Sequence, residues 1–170
     1  MDYDPLTVIP GLWDRPNYRD EALTSLENAF ADTGAKQIII MDPYLEPWAI
    51  QKTIELFAKR MGREIIFLTR LKNAEKGDKE ELERKTKEAQ LETIRKGIFK
   101  DFSIRKTRFE FHDRYIVSRE GKGDDLYLLV NTSLGTIYKK FSGTLRITNR
   151  SYRRQVDAFI IKAIEQSEVW

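Results

Sequence analysis

The run Lys36-Gln37-Ile38-Ile39-Ile40-Met41 constrains this chain more than any other stretch. Successive residues of a strand point to opposite faces, so an unbroken series of β-branched apolar side chains predicts a strand covered on both sides. A second such run, Glu64 to Thr69, follows a segment of helical pattern over about 47–61 that is closed by Gly62. Strand, helix and strand in that order predict an α/β fold with parallel neighbours. A helix is also expected over 20–33, with Asp20 as a cap and Gly34 as its stop. Residues 1–19 carry Pro5, Pro10, Gly11 and Pro16 and read as an irregular arm, which leaves 20–170 as one domain.

The second half of the chain is more mixed. Residues 77–97 form a charged helical segment in which Leu82, Ala89, Leu91 and Ile94 give only a weak apolar stripe, the mark of a largely solvated helix. A strand is expected over 107–118, followed by a turn at Gly121-Lys122-Gly123-Asp124-Asp125 and an antiparallel partner over 126–131. A further strand lies around 144–148. The last helix, about 151–167, places Val156, Phe159, Ile160, Ala163 and Ile164 on one face.

The only histidine, His112, lies within the 107–118 run. Phe109, Phe111, Tyr115 and Val117 alternate there, so Glu110, His112 and Arg114 are expected on the opposite face. An imidazole beside a fixed cation suits a phosphate: arginine holds two phosphoryl oxygens, and histidine can attack phosphorus or carry a proton. The same spacing also fits a half-buried strand histidine next to a surface ion-pair partner. Asp42 follows the first buried run directly, where α/β folds place functional groups, and where a carboxylate can equally cap its own turn.

Composition narrows the chemistry. With no cysteine there is neither a disulfide framework nor a thiolate metal site, and one histidine makes a zinc site improbable, although magnesium held by carboxylates is compatible. No apolar run is long enough to span a bilayer and the N-terminus is acidic, so a cytoplasmic protein with no membrane partner is expected. Net charge is only +3, but no acid occurs between Asp125 and Asp157, where Lys139, Lys140, Arg146, Arg150, Arg153 and Arg154 alternate with Tyr138, Phe141 and Tyr152. Basic side chains interleaved with aromatics suit a nucleic-acid surface, while pairing with the Glu-rich segment 80–92 would serve equally.

Asp42-Pro43-Tyr44, then Phe111-His112-Asp113-Arg114-Tyr115-Ile116-Val117, then Asn131-Thr132-Ser133-Leu134-Gly135 and Lys139-Lys140 together resemble the phospholipase D superfamily. The likeness is to the bacterial and phage-associated branch with a His-Asp-Arg-aromatic motif, and it covers roughly residues 36–150. It implies a mixed sheet flanked by helices with a single motif copy in the chain. It places His112 on the catalytic histidine, Arg114 on the phosphate-binding lysine and Ser133 in the Gly/Ser tract; Asn131 and, from the basic tract, Lys139, Lys140 and Arg146 are the candidate nucleic-acid contacts. Arg119, with Glu120 beside it, stands where the family carries an aspartate, and Gly135 where it carries an asparagine. Asp42, Glu110 or Glu120 would then support the histidine. The resemblance further implies a metal-independent, cofactor-free phosphodiesterase, most readily a nuclease acting on DNA through a phosphohistidine. Single-motif members join as homodimers that bring two histidines to one site. The departures in the motif equally suit a module that has lost its chemistry and keeps nucleic-acid binding or assembly. A lipid-directed phospholipase is less favoured, because no amphipathic or strongly apolar surface element is evident.

Overall fold

The computed structural model describes residues 3–5, 35–57, 63–70, 79–97, 99, 101–121, 125–130 and 144–169. In chain order these form β1 (Tyr3–Pro5), β2 (Gln37–Met41), α1 (Pro47–Phe57), β3 (Glu64–Thr69), α2 (Lys79–Lys96) and β4 (Asp101–Thr107). There follow β5 (Arg114–Arg119), β6 (Leu126–Val130), β7 (Thr144–Ile147), α3 (Arg150–Glu165) and β8 (Ser167–Val169). All eight strands belong to one mixed sheet in the order β1-β7-β6-β5-β2-β3-β4-β8. β2, β3 and β4 run parallel, as a helix between successive strands requires, while β5 lies antiparallel against the other side of β2.

The continuous apolar run of β2 is explained by two cores. Ile38 and Ile40 join Ile65, Phe67, Phe102 and Ile104 beneath Ala49 and Ile50 of α1 and Ala89 of α2. Ile39 and Met41 face the other way, with Ile66, Leu68, Tyr115 and Val117, against Val156, Ile160 and Ala163 of α3. The sheet is therefore sandwiched between α1 and α2 on one side and α3 on the other. Pro47 starts α1 at the helical position that tolerates a missing N–H, and the Glu46 carbonyl accepts from Ala49 N at 2.9 Å. α3 begins at Asn149, whose side chain accepts the Tyr152 N–H at 3.0 Å.

Several expectations need correction. The 107–118 run is not one strand: β4 ends at Thr107, residues 108–113 make a connector that keeps one bond to the β8 side, from Arg108 N–H to the Gln166 carbonyl at 3.1 Å, and β5 begins at Arg114. Tyr3–Pro5 is not irregular but pairs antiparallel with Leu145–Ile147 of β7. Proline is tolerated there because β1 is an edge strand. α2 is largely solvated, as expected, but the face it buries is made of Thr86, Ala89, Gln90 and Thr93, whereas Leu91 and Ile94 of the apolar stripe are about half exposed. Buried threonine is acceptable on a helix because its hydroxyl reaches back: Thr93 Oγ1 donates to the Ala89 carbonyl at 2.7 Å. The helix expected over 20–33 lies outside the described residues.

Candidate functional site

Strand register decides which side chains meet. Met41 pairs with Tyr115 across β2 and β5, so Asp42 and Arg114 are the next residues out at one end of the sheet. The parallel strands β2, β3 and β4 all end there, at Met41, Thr69 and Thr107, and β6 arrives there at Val130, opposite Arg114. Functional groups in α/β sheets collect at this end, because strands stop there and loops begin.

Asp42 caps its own turn and also faces Arg114. Its backbone N–H donates to the Leu68 carbonyl at 3.0 Å, extending the parallel ladder by one bond. Its Oδ1 accepts the Tyr44 N–H at 2.9 Å, closing a turn over Pro43. The same oxygen lies 3.7 Å from Arg114 Nε, an ion pair too long to be a hydrogen bond. The Arg114 guanidinium also sits 5.3 Å from the centre of the Tyr44 ring. Arg114 is thus fixed between a carboxylate and an aromatic face, with Nε buried and bound to no acceptor. Tyr44 was not foreseen as part of this arrangement, although it stands two residues from Asp42 in the tract that suggested it.

His112 is exposed and lies in the 108–113 connector rather than in a strand. The residues around it are anchored. Phe111 is buried in the α3-side core, and the Phe109 ring packs 6.1 Å from Phe159 of α3. The Phe109 N–H donates to Thr107 Oγ1 at 3.1 Å. Asp113 Oδ2 accepts from the Tyr115 hydroxyl at 3.2 Å, and that hydroxyl also lies 3.0 Å from the Tyr152 hydroxyl. Burial first, then this hydrogen bond, pushes the Tyr115 phenol well above its usual range, so it stays protonated. Glu110 does not share a strand face with His112 and Arg114. It turns to Arg70, the first residue beyond β3, with Nη2 and Oε1 at 3.1 Å. Arg70 could have been singled out from the sequence by the positional argument that marked Asp42.

The other end of β5 is a different place. Arg119 forms an ion pair with Asp157 of α3. Asp157 also accepts from the Tyr127 hydroxyl, at 2.9 and 3.0 Å to its two oxygens. Burial and the adjacent Asp157 push the Tyr127 phenol up to about 12. Arg153 covers the Tyr127 ring at 5.4 Å and donates from Nε to the Ile147 carbonyl at 2.7 Å, so this member of the basic tract is engaged within the fold. Glu120, exposed and with φ of 58°, follows Arg119. It is about 20 Å along the strand from Arg114 and cannot support chemistry at His112. Arg146 lies inside β7 beside Leu128, not at the end of the sheet, and its Nε is buried without an acceptor. Asn131, Ser133, Lys139 and Lys140 lie outside the described residues.

Among the described residues no three His, Asp or Glu side chains are grouped so as to hold a metal ion. Among them, too, no helix is long and apolar enough to cross a membrane. No protein-family model matches the chain, and no curated protein matches it.

Proposed function

We propose that this chain is a metal-independent phosphodiesterase of phospholipase D-like fold, acting on nucleic acid, with His112 and Arg114 as its working pair. The observation that carries the reading is Arg114: a guanidinium fixed by Asp42 and Tyr44 at the sheet end, with its side chain 21% exposed, two residues from the only histidine. A phosphate oxygen approaching the exposed end of that guanidinium would meet a charge already oriented, which is what stabilises a phosphoryl group as charge builds on it.

The chemistry needs two imidazoles, and a homodimer supplies the second. One His112 attacks phosphorus, forming a P–N bond as the P–O bond to the leaving group breaks. The partner's His112, protonated, gives its proton to the departing oxygen. Water then attacks the phosphohistidine and loses its proton to the same partner imidazole, which restores both side chains. His112 in an exposed connector is accessible to a second copy in a way that a histidine within the sheet would not be.

The test is cleavage in EDTA of single- and double-stranded DNA, RNA and a chromogenic diester, by the native chain and by His112→Ala. Cleavage that survives EDTA and is lost in the variant is the expected result. A monomer in solution at micromolar concentration would count against the dimeric mechanism. A second reading, a module that binds nucleic acid without cleaving it, is favoured by Arg119. This residue stands where the family's aspartate is expected, and it is bound to Asp157 at the far end of the strand. Oligonucleotide binding without turnover in either protein would establish that alternative.

A further inference from the structure

The Arg70–Glu110 pair is unequal. The Arg70 side chain is 18% exposed and the Glu110 side chain 79%. The cation is mostly buried, while the carboxylate reaches in from solvent. Arg70 is the first residue past β3, and β3 is separated from β5 by β2 alone. At the usual strand spacing, Arg70 and Arg114 are about 10 Å apart across the sheet end. Glu110 belongs to the connector that carries His112, as does Arg108, which is exposed beside the end of β4.

We propose that Arg70 is a second phosphate-binding residue, occupied by Glu110 when the site is empty and released to the backbone of a single nucleic-acid strand crossing the sheet end from β5 towards β4. The inference rests on the phosphodiester reading above and extends it with a residue and a direction for the strand. Two long arginine side chains about 10 Å apart at their backbones can hold neighbouring phosphates of one strand. An ion pair with so exposed a carboxylate is weak, whereas a phosphate offers arginine two charge-assisted hydrogen bonds. Displacement of Glu110 takes place beside His112, so loading the second phosphate also removes a negative charge from the approach to the first.

The two partners therefore affect binding in opposite directions. Anisotropy of a labelled single-stranded oligonucleotide, titrated with the full chain at several salt concentrations, reads both. Arg70→Ala is expected to weaken binding about five- to twenty-fold and to lower the salt slope by about 0.7, one phosphate contact on a single strand. Glu110→Gln is expected to tighten binding by about threefold, since it removes a repulsive rim charge. Melting curves establish that both variants fold. If the pair only braces the connector, both substitutions weaken binding or neither changes it, and the salt slope stays at the native value; either pattern overturns the proposal. Loss of binding in Arg114→Ala with Arg70→Ala unaffected rejects Arg70 and leaves the phosphodiester reading standing. No oligonucleotide binding by the native chain at low salt, or binding only to phosphatidylglycerol vesicles, rejects both.

Discussion

Asp157→Ala removes one carboxylate that serves two elements of the sheet. Tyr127 is 5% exposed, and both of its hydroxyl contacts go to Asp157. Without that acceptor the hydroxyl is buried unpaired, at a cost of about 1–3 kcal/mol. Arg119 loses its counter-ion, but its side chain is 24% exposed and that of Asp157 34%, so water compensates most of the loss and about 0.5 kcal/mol is a fair share. The expected total is about 1.5–3.5 kcal/mol, or a fall in Tm of about 3–14 °C for a chain of this size. Urea unfolding followed by circular dichroism measures the first figure and a thermal scan the second. Tyr127→Phe separates the two contributions: in the native background it should cost about 1 kcal/mol, and in Asp157→Ala it should be neutral or stabilising, because the orphaned hydroxyl disappears. An Asp157→Ala variant within about 0.5 kcal/mol of the native chain, or strictly additive effects of the two substitutions, would refute the assignment of Asp157 as the acceptor that holds α3 to β5 and β6.

Other expectations follow from the same contacts. Because Tyr127 is raised in the folded protein to about 12 from 10.0, the unfolded chain loses this proton first. The contribution is therefore complete below about pH 10 and is lost as pH rises towards 12; Tyr127→Phe should flatten the alkaline limb of a stability–pH curve. Asp42→Ala should cost about 2 kcal/mol in urea unfolding, through the lost turn bond to Tyr44 and the uncompensated Arg114, whereas Asp42→Asn should recover the turn part alone. On α2, Leu91→Lys should change stability by less than about 0.5 kcal/mol, because Leu91 faces solvent, while Ala89→Asp should cost about 3 kcal/mol for a carboxylate placed in the core.

Much of the fold was legible because apolar patterning and burial coincide. Ile38–Met41 and Ile65–Leu68 had to be covered on both faces, and they are. Val156, Ile160 and Ala163 face the core of α3 as their spacing requires, although Phe159 is spared full burial and packs sideways on Phe109. What escaped was structure that does not depend on apolar side chains. β4 buries just two apolar side chains, Phe102 and Ile104, beside a buried Thr107, and β8 is held by backbone pairing to Arg105, Lys106 and Thr107. The inward face of α2 is threonine and glutamine, which no hydrophobic stripe reports. Around the site, alternation correctly sent Phe111, Tyr115 and Val117 to one core. It could not reveal that the backbone leaves the ladder at Arg108 and returns only at Arg114, since Phe109 satisfies its apolar surface against a helix rather than a neighbouring strand. Asp42 was visible from position alone. Its encounter with Arg114 depends on register between strands far apart in the chain, which no local pattern encodes.

The pairing of β8 with β4 also has a consequence during synthesis. Thr107 meets Ser167 only after the ribosome has added the sixty residues that end at Ser167, about 3–12 s at ordinary elongation rates. Throughout that interval one side of β4 has no partner from its own chain, and an open strand edge recruits strands from other nascent chains. Asp101, Arg105 and Lys106 place charge along that edge. They make it a poor template while it waits, so the residues that weaken β4 as a strand signal are those that keep the unfinished protein single.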